Sequence, residues 1–447
     1  MESINKFYWI GFGSVATSLM ELFNLEGIYR HIPNIIIDPR PPRHPELFEN
    51  RDVKYIQKHI TRENHKRLLK DVDDKTLIID LSVNVDSIMM LKFSKNKGCL
   101  YINTSIENYE YDENPKSHTN KMTYTDIKDN TLYHRELLAQ KLLKGTRKSR
   151  FLNAGFNPGA IQAFSKRGLR EVAKLKGVKL IKGNYAKLSY DLGLKECICA
   201  EYDSQKTHLK PNKNLFLNTW SCIGLEGEAG ENVMLSLNNE TIQEMEDAGV
   251  HMVAPDEGIT MNLRFFPERG MNAKRKCVTL DHQGNPFEYE GMLIPHAEIA
   301  SLSEFLQYKG NSPNIMYIYR PTDVALESLD IFKKNDYKLL KDYHVLESPD
   351  VKPGGFDSIG AYMVFEKDGK IEKFWCGSVV SIEDARKLGF KISTATSIQI
   401  SGFLHACIDF MFKNPNFGMH EAEEIPHKEL FKLADKYFGN IYCKQIA

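Results

Sequence analysis

The stretch YWIGFGSVATSLMELF, residues 8–23, places an apolar strand-like run, two glycines and a helix-like run in direct succession. The glycines are Gly11 and Gly13, and Ala16 completes the pattern G-x-G-x-x-A. In this pattern the first glycine permits a tight turn, the second lets the backbone approach a pyrophosphate, and a small third residue keeps the helix close to the strand. The stretch therefore predicts a turn that binds a dinucleotide.

Residues near this turn indicate which dinucleotide is bound. The first amides of the helix, at Ser14 and Val15, are expected to point at the phosphates. Asp38 ends the next strand-like run, NIIID, and a carboxylate there accepts from the adenosine ribose and repels a 2′-phosphate. This arrangement favours NAD over NADP, although Arg40 nearby weakens the preference. The alternative is a glycine turn that is needed only for packing.

The first 110 residues alternate strand-like and helix-like segments. The strand candidates are FYWI (7–10), NIIID (34–38), a short strand in VKYIQKHI (53–60), TLIIDLS (76–82) and CLYINTS (99–105). Strands rich in Ile, Leu and Val and separated by helical segments are typical of a parallel sheet that is buried on both faces. We therefore predict an α/β protein whose N-terminal part is a Rossmann-type, doubly wound sheet.

The remainder of the chain changes character. Residues 108–121 are polar and predict a surface loop, residues 122–150 predict a helix, and RFLNAGFNPGAIQAF begins a strand–turn–helix unit. Further strands are predicted at 179–203, 260–295, 314–320, 361–366 and 371–376, with a helix at 296–307. Helices are predicted in the tail at TATSIQISGFLHACIDFMF and HKELFKLADKYF. We expect an NAD-binding domain at 1–148, an α+β substrate and dimerisation domain with a mixed sheet at 149–390, and C-terminal helices at 391–447 that pack back on the NAD-binding domain.

Polar side chains follow two neighbouring strands of the predicted sheet. In doubly wound sheets the ligand lies outside the carboxyl ends of the strands, at the point where the strand order reverses. The candidates at these ends are Asp80, Ser82 and Asn84 in DLSVN, and Asn103, Thr104 and Glu107 in NTSIE. We predict that they lie beside the cofactor; for Asp80 and Asn84 a role in turn or cap chemistry is an equal alternative.

Composition excludes several classes of partner. The 447 residues include 59 basic and 59 acidic ones, so no net positive charge is available for nucleic-acid phosphates or for a polybasic membrane anchor. No apolar run approaches the roughly 18 residues that span a membrane, and the N-terminus lacks a secretory pattern. The eight cysteines form no CxxC pair, and no metal site is expected. These features predict a cytoplasmic protein.

The middle of the chain places carboxylates near aromatic residues. Glu201 ends the strand KECICAEY, and TWSCIGLEGEAGEN places Trp220, Glu226, Glu228 and Glu231 on a predicted glycine-rich loop. A carboxylate pairs with an ammonium group, and an indole face holds a second positive centre, which is worth roughly 2 kcal/mol when desolvated. An acidic pocket that contains a tryptophan therefore suits a cationic substrate. The alternatives are a Trp that only anchors packing and glutamates that form a solvated face.

Nine motifs occur along the chain in an order that resembles the homospermidine synthases, of the saccharopine-dehydrogenase-like superfamily. They are YWIGFGS, IIIDPR, DLSVNVDS, NTSIE, GFNPG, NTWSCIGLEGEAGE, LIPHAEI, GGFDSIGAYM and TATSIQISG…NPNFGMHEAEE. The resemblance covers nearly the whole chain. It implies an NAD-dependent, aminobutyl-transferring enzyme that oxidises putrescine, releases ammonia, condenses the intermediate with a second putrescine or with spermidine, and reduces the resulting imine with the same NADH. The family's habit implies a homodimer.

The resemblance also implies roles for individual residues. The tryptophan that stabilises cationic intermediates corresponds to Trp220, and the acid that closes the same W-x7-E pattern corresponds to Glu228. The remaining matches are Glu201, His296 and Asn157 as catalytic residues, and Glu107, Asp357 and Asn153 as substrate-binding residues. Whether Asn157 or Asn153 contacts the nicotinamide stays open. A histidine suits a proton shuttle near neutral pH.

Two other functions remain in competition at this point. A carboxynorspermidine or saccharopine-type dehydrogenase would need a cationic residue for an α-carboxylate, whereas the Trp220 segment is acidic. A non-catalytic NAD-binding scaffold would show loss of the pocket acids or of His296, and none of them is lost.

Overall fold

The structure is a computed structural model that describes residues 4–108, 132–255 and 262–446. The strands are β1 Lys6–Ile10, β2 Asn34–Asp38, β3 Val53–Gln57, β4 Thr76–Asp80, β5 Leu100–Asn103, β6 Arg150–Phe151, β7 Leu194–Asp203, β8 Lys206–Thr207, β9 Leu215–Asn218, β10 Asn232–Ser236, β11 Leu263–Arg269, β12 Lys274–Leu280, β13 Pro286–Ile294, β14 Asn314–Arg320, β15 Asp342–Val345, β16 Val351–Lys352, β17 Phe356–Lys367, β18 Lys370–Ser381, β19 Met419–His420 and β20 Asn440–Ile446. The helices are α1 Ser14–Leu25, α2 His65–Leu68, α3 Ser87–Lys97, α4 Leu132–Leu143, α5 Ala160–Leu175, α6 Tyr185–Leu192, α7 Cys222–Gly230, α8 Asn239–Asp247, α9 Ala297–Leu306, α10 Asp323–Lys334, α11 Ile382–Lys387, α12 Ala395–Lys413 and α13 His427–Ala434.

Seven of the described strands form a parallel sheet in the order β19-β6-β5-β4-β1-β2-β3. Alternate residues of β1 enter different cores: Phe7 and Trp9 pack on one face of the sheet, and Tyr8 and Ile10 pack on the other. A strand that is buried on both faces is what the unbroken apolar runs predict. The doubly wound architecture of the N-terminal part is confirmed.

A second sheet of nine described strands follows the order β11-β10-β14-β7-β17-β18-β20, with the β12–β13 pair attached to β14. The β7–β14 pair is parallel, whereas β7–β17 and β17–β18 are antiparallel, so this sheet is mixed as predicted. Along β7, Cys197 and Cys199 face the large core that the sheet shares with α5, while Ile198 and Ala200 face a separate core. Glu201 follows the first set by alternation.

The C-terminal helices return to the N-terminal part, as predicted. In α1, Ser18 donates from its hydroxyl to the Ser401 hydroxyl of α12, at 2.9 Å. The Glu21 carboxylate accepts from the backbone amides of Lys391 and Ile392, at 2.6 and 3.0 Å, just before α12 begins. Glu21 is 5% exposed, so these contacts are buried. They hold α1 against the segment that leads into α12.

Three secondary-structure predictions are wrong. The segment after Trp220 is a helix, α7, because the Ser221 hydroxyl caps it and the buried Leu225 and Ala229 anchor it despite its glycines. The span predicted as strands at 179–203 contains α6, which the Asn184 side chain caps, and only its end is β7.

The helical tail predicted at 391–447 ends in a strand, β20, which pairs with β18 and places Cys443 opposite Cys376 in a disulfide.

The two sheets do not follow the chain in simple order. The first sheet includes β6 and β19, and the second sheet includes β20, so chain segments cross between them more than once. The surface loop predicted at 108–121 and the start of the helix predicted from 122 lie almost wholly outside the described residues. Within the described ranges, no helix is long and apolar enough to cross a membrane.

Candidate active site

The turn between β1 and α1 contains four of the predicted cofactor residues. They are Gly11, Gly13, Ser14 and Val15. Gly11 has φ of +79°, and a Cβ there would lie 2.7 Å from the Cα of Ser82 on the neighbouring strand end, so only glycine fits. A Cβ on Gly13 would meet only the Arg40 guanidinium, at 3.8 Å. Helix α1 has no side-chain cap and no acidic residue in its first turn, so its amides suit a phosphate.

Asp38 lies at the end of β2, beside this turn, and is 2% exposed. Its Oδ2 accepts from the Phe12 amide at 2.7 Å, and its Oδ1 accepts from the Arg40 amide at 2.8 Å. The Arg40 guanidinium lies 3.3 Å from the same carboxylate, with its side chain 66% exposed. Asp38 therefore holds the backbone of the glycine turn while Arg40 covers it from the solvent side.

The ends of β4 and β5 are joined by a local hydrogen-bond network. Asp80 accepts from the Ser82 hydroxyl and from the Tyr101 hydroxyl, both at 2.7 Å, and burial raises its pKa. Asn84 adopts φ of +58° in the loop before α3. The Ser82 contact is turn chemistry, the alternative noted for Asp80, whereas the Tyr101 contact joins β4 to β5. Asp80 is 4% exposed at the edge of the sheet.

The GFNPG turn joins the two sheets. Gly155 lies against the end of β5, where its Cβ position is 3.7 Å from the Thr104 carbonyl oxygen. The turn is so tight that a Cβ on Gly159 would lie 2.0 Å from the Gly155 oxygen. The Asn157–Pro158 bond within the turn is cis. Two residues after Gly155, Asn157 donates from Nδ2 to the Glu201 Oε2 at 2.6 Å. The turn thus connects the nucleotide sheet with the acidic strand β7.

Glu201 is the centre of the second group of predicted residues. It is 3% exposed, and the Tyr317 hydroxyl donates to its Oε2 at 2.5 Å. Burial raises the pKa of Glu201 to about 8, against the opposing effect of the hydrogen bonds from Tyr317 and Asn157. Glu201 is therefore a carboxyl group that exchanges a proton close to neutral pH.

Trp220 lies against this centre through two tyrosines. Its Nε1 donates to the Tyr319 hydroxyl at 3.0 Å, and Tyr319 stacks on Tyr317 with ring centroids 5.5 Å apart. The opposite edge of the indole touches α7: a Cβ on Gly224 would lie 2.8 Å from Trp220 Cζ3. Both contacts fix the ring near Glu201.

His296 joins the same group from the start of α9. Its ring lies 4.8 Å from that of Tyr317, its Nδ1 is 2.5 Å from Glu298 Oε2, and its Nε2 is 3.5 Å from Glu228 Oε1. Burial alone lowers the pKa of His296, but the two carboxylates outweigh it and hold the pKa well above the usual value. His296 thus lies between two acids whose charges favour its protonated form.

A row of acids continues along β7 and β17. Asp357 lies directly opposite Asp203 in the antiparallel pairing and is fully buried. Gln399 donates to its Oδ2 at 3.2 Å, whereas its Oδ1 has no partner. Burial, and then the charges of Asp203 and Glu201, hold the pKa of Asp357 well above the usual value.

Glu107 lies on the nucleotide side of the site. Its carboxylate accepts from the Ser105 hydroxyl at 2.6 Å, and burial raises its pKa, with Glu228 and Asp80 adding to the effect and Arg135 opposing it. Its carboxylate therefore lies near enough to Asp80 in the first sheet and to Glu228 on α7 for their charges to affect it.

The structure brings the five predicted catalytic residues together. Trp220, Glu201, Glu228, His296 and Asn157 are linked by direct contacts or through Tyr317 and Tyr319. Asn153 is not among them. Its side-chain Nδ2 donates to Glu136 Oε1 at 2.7 Å, and its backbone amide donates to the Asn103 side chain. Asn157 thus lies in the group around Glu201, and Asn153 lies beside Glu136. Which of the two contacts the nicotinamide stays a prediction.

Sequence analysis missed several members of this group. Tyr317 and Tyr319 alternate along NIMYIYR, and this period of two is the signal that could have placed them on one face of a strand. Glu298, two residues after His296 in PHAEI, is fully buried. The sequence placed Glu226 on a glycine-rich loop, with a solvated face as the alternative; in the structure it lies in α7 and is 1% exposed, and burial raises its pKa to about 7.

A separate open groove lies on the other face of the second sheet. Tyr202, Phe287 and Arg320 are among its lining residues. Because Tyr202 follows Glu201 along β7, its side chain leaves the sheet on the opposite side. The groove does not receive the acids described above.

Comparisons with known proteins agree with this architecture. Residues 7–128 match the family described as saccharopine dehydrogenase NADP binding domain. The chain is 25% identical to a homospermidine synthase of Blastochloris viridis over an alignment 454 positions long, covering 97% of this chain and 89% of that protein. It is 24% identical to a homospermidine synthase of Mesorhizobium japonicum, covering 97% and 88%. The resemblance to homospermidine synthases that the motifs indicate is confirmed over nearly the whole chain.

Solved structures show the same fold. The crystal structure of a homospermidine synthase from Legionella pneumophila in complex with NAD superposes with a TM-score of 0.83 at 23% identity, covering 99% of this chain and 91% of that one. A saccharopine dehydrogenase from Saccharomyces cerevisiae matches with a TM-score of 0.50 at 12% identity, covering 99% and 100%. The arrangement of both sheets is thus shared with the first of these structures.

Proposed function

We propose that this chain is a homospermidine synthase, an NAD-dependent enzyme that joins two molecules of putrescine and releases ammonia, or transfers the aminobutyl group of spermidine to putrescine and releases 1,3-diaminopropane. One observation carries the proposal: Trp220, Glu201 and His296 form a single buried acidic site that the GFNPG turn connects to the nucleotide sheet. The similarity to two homospermidine synthases along the whole chain supports it.

The glycine turn fits NAD. Gly11 and Gly13 would let the pyrophosphate approach the first amides of α1, Ser14 and Val15, and Asp38 would accept from the adenosine ribose. The strand-end residues Asp80, Ser82, Asn84, Asn103 and Thr104 lie at the same edge of the sheet. When bound, NAD accepts a hydride from the substrate and returns it, so the cofactor is regenerated within one turnover.

The acids of the site bind the substrate. A diamine brings two ammonium groups, and Glu201, Glu228, Glu107 and Asp357 supply carboxyl groups at different depths. Glu201, with a pKa of about 8, takes a proton from the reacting ammonium, because the amine must be neutral before its carbon can be oxidised. Asn157 and Tyr317 hold the Glu201 oxygen in place.

Trp220 and His296 act on the charged intermediates. The indole face of Trp220 stabilises an iminium cation, an interaction worth about 2 kcal/mol in a desolvated site. His296 is protonated because of Glu228 and Glu298, so its Nε2 can give a proton to the departing amine. The balanced outcome is one C–N bond formed between two diamines and one ammonia lost.

A saccharopine-type dehydrogenase fits less well. Its amino-acid substrate would place an α-carboxylate among Glu201, Asp203 and Asp357, where burial already raises the pKa of each acid. We further propose that the enzyme is a cytoplasmic homodimer, and that an NAD-binding part at 1–148, a substrate part at 149–390 and a C-terminal part at 391–447 describe its organisation.

The test is a reaction with catalytic NAD. Purified protein is incubated with putrescine and with NAD⁺ at a small fraction of its concentration, and homospermidine and ammonia are measured by mass spectrometry and by a coupled assay. We expect many equivalents of product per NAD and no accumulation of NADH. Stoichiometric NADH, or no homospermidine, contradicts the proposal. A parallel reaction with spermidine decides whether it also donates an aminobutyl group.

A further inference from the structure

Four glutamates form a second buried cluster. The proposed mechanism uses only one of them, Glu298, through its contact with His296. Glu136 comes from α4, Glu298 from α9, and Glu421 and Glu423 flank Ala422 in the turn that follows β19; their exposed fractions are 2%, 0%, 4% and 4%. The Ser301 hydroxyl, one turn after Glu298 on α9, lies near the carboxyl groups of both Glu421 and Glu423. We call these four residues the inner acid cluster.

The inner acid cluster has hydrogen-bonding capacity that no group within the described part of the chain uses. One carboxylate oxygen of each member is buried without a partner: Glu136 Oε2, Glu298 Oε1, Glu421 Oε2 and Glu423 Oε2. An uncharged acceptor adds to them. Asn153 is 1% exposed, its Nδ2 donates to Glu136, and its Oδ1 is also without a partner. Since buried polar atoms are almost always paired, these five unpaired acceptors indicate that donors are missing among the described residues.

Lys166, a buried cation near Glu423, does not supply that donor. Lys166 is 4% exposed, but its Nζ donates to the backbone oxygens of Glu423 and Ile425, at 2.5 and 2.6 Å. Its remaining neighbours are the Tyr185 and Phe305 rings, 5.2 and 5.6 Å from Nζ. Within the described residues, Lys166 therefore makes no hydrogen bond to a carboxyl group of the cluster.

The missing donor is better explained by an ammonium group than by a metal ion. Among the described residues, no group of three or more His, Cys, Asp or Glu side chains is placed to hold a metal. Metal–oxygen distances are roughly 2.0–2.6 Å, whereas an ammonium nitrogen lies about 2.7–3.2 Å from each acceptor and so fits a wider ring of oxygens. An –NH₃⁺ group also brings three donors to a set of unpaired acceptors.

Glu298 connects the inner acid cluster with the proposed active site. Its Oε2 is 2.5 Å from His296 Nδ1, and its Oε1 is the unpaired oxygen that Glu298 contributes to the cluster. Asn153 makes the corresponding connection to the nucleotide sheet, through Asn103. The cluster is thus one carboxylate away from the histidine that would protonate the departing amine.

We propose that the inner acid cluster is a binding site for an ammonium group, either the far end of a bound diamine or the ammonium ion formed during turnover. The proposal deepens the proposed function and names a site separate from Trp220 and Glu201. In the first case Glu136, Glu421 and Glu423 hold the non-reacting amine of the substrate. In the second case they receive the ammonia that His296 has protonated.

The first experiment uses the unmodified full chain and needs no turnover. Its thermal midpoint is measured in ammonium chloride and in sodium chloride at equal ionic strength, and binding of ammonium is measured by calorimetry. We expect ammonium to raise the midpoint by about 3 °C more than sodium, because a ligand that binds only the folded state stabilises it. Equal midpoints in the two salts overturn the proposal, whatever the result of the homospermidine assay.

The second experiment locates the ammonium site. Glu421→Gln and Glu423→Gln keep the side-chain size and remove the charge, and we expect each to raise the Kd for ammonium about tenfold. Glu429→Gln is the control, since Glu429 pairs with Lys432 on the surface of α13. Cluster variants that fold, as judged by circular dichroism, and keep the unmodified Kd for ammonium overturn the proposal.

Steady-state kinetics separate the two sources of the ammonium group. If the cluster holds the far end of the diamine, Glu423→Gln raises KM for putrescine about tenfold and ammonium competes with putrescine. If it receives the released ion, KM stays within twofold, ammonium inhibits the unmodified enzyme without competing with putrescine, and the variant loses that inhibition. Either result supports the site. If Glu423→Gln changes neither the KM for putrescine nor the inhibition by ammonium, the result contradicts the proposal.

Discussion

Trp220 and Glu201 are held at a fixed separation by two stacked tyrosines. The indole Nε1 donates to Tyr319 at 3.0 Å, Tyr319 stacks on Tyr317 at 5.5 Å, and Tyr317 donates to Glu201 at 2.5 Å. The acid and the aromatic face therefore cannot shift independently. An intermediate whose positive charge moves from an amine to an iminium nitrogen would stay between them throughout the reaction.

The contribution of the indole can be measured in a graded series. We expect Trp220→Phe to keep part of the activity and Trp220→Ala to lower kcat about thirtyfold or more, because about 2 kcal/mol of cation–π stabilisation corresponds to that factor. Tyr319→Phe retains the stacked ring but removes the hydrogen bond, so kcat should fall several-fold. The rates come from the homospermidine assay, with circular dichroism to verify folding. An alanine variant as active as the original protein would refute the cation–π role.

A matched pair of glycines in α7 tests the position of the indole. A Cβ on Gly224 would lie 2.8 Å from Trp220 Cζ3, whereas a Cβ on Gly227, one turn later and exposed, meets nothing within 4 Å. We expect Gly224→Ala to displace the ring and to lower kcat at least tenfold. Gly227→Ala should keep the activity and raise the thermal midpoint, because alanine favours a helix over glycine by roughly 1 kcal/mol. Equal kinetics in the two variants would contradict the proposed placement of Trp220.

The sequence predicted the nucleotide half of the molecule better than the substrate half. The G-x-G-x-x-A turn and Asp38 lie close together along the chain, and the packing of adjacent parallel strands dictates their geometry. By contrast, Tyr317 and Glu201 are separated by 116 residues, and only the pairing of β7 with β14 brings them together. No local pattern encodes that pairing.

The wrong predictions have a similar cause. Three glycines within nine residues favour a loop by propensity, yet burial of Leu225 and Ala229 forms α7. This helix, rather than a loop, presents Glu228 to His296. The sequence did not predict the inner acid cluster, because Glu136, Glu298 and Glu423 come from segments that are far apart along the chain. Each of these segments resembles an ordinary charged helix or turn.

Diamine affinity should depend on pH through Glu201. Burial raises the pKa of Glu201 to about 8, so the group is mostly neutral at pH 6 and mostly ionised at pH 9. Because a cationic amine binds the ionised form, we expect the affinity for putrescine to increase as the pH rises towards 8, with release of a proton on binding at pH 7. Calorimetry in buffers of different ionisation enthalpy measures that proton. Glu201→Gln should weaken the pH dependence around pH 8, and a variant that keeps it unchanged would assign the titration to another group.

Cofactor binding can be separated from folding at the two glycines of the turn. A Cβ on Gly11 would clash with Ser82 at 2.7 Å, and φ of +79° disfavours any other residue, so Gly11→Ala should destabilise the protein itself. A Cβ on Gly13 has only the Arg40 side chain nearby, at 3.8 Å. We therefore expect Gly13→Ala to keep the thermal midpoint but to raise the Kd for NAD at least tenfold, because the methyl group occupies the phosphate's place. Unchanged NAD affinity in folded Gly13→Ala would remove the turn from the cofactor site.

The protonation of His296 should depend on Glu298. Burial would lower the pKa of the imidazole, and the charges of Glu298 and Glu228 raise it well above the usual value. In Glu298→Gln one of these charges is lost, so the pKa of His296 should fall, and the imidazole should lose its proton at lower pH. If protonated His296 donates to the departing amine, the alkaline limb of the kcat profile should move to lower pH by about one unit or more. Glu304→Gln, at an exposed position of the same helix, is the control and should leave the limb in place. An unchanged profile in Glu298→Gln, with activity retained, would show that the acid does not set the protonation of His296.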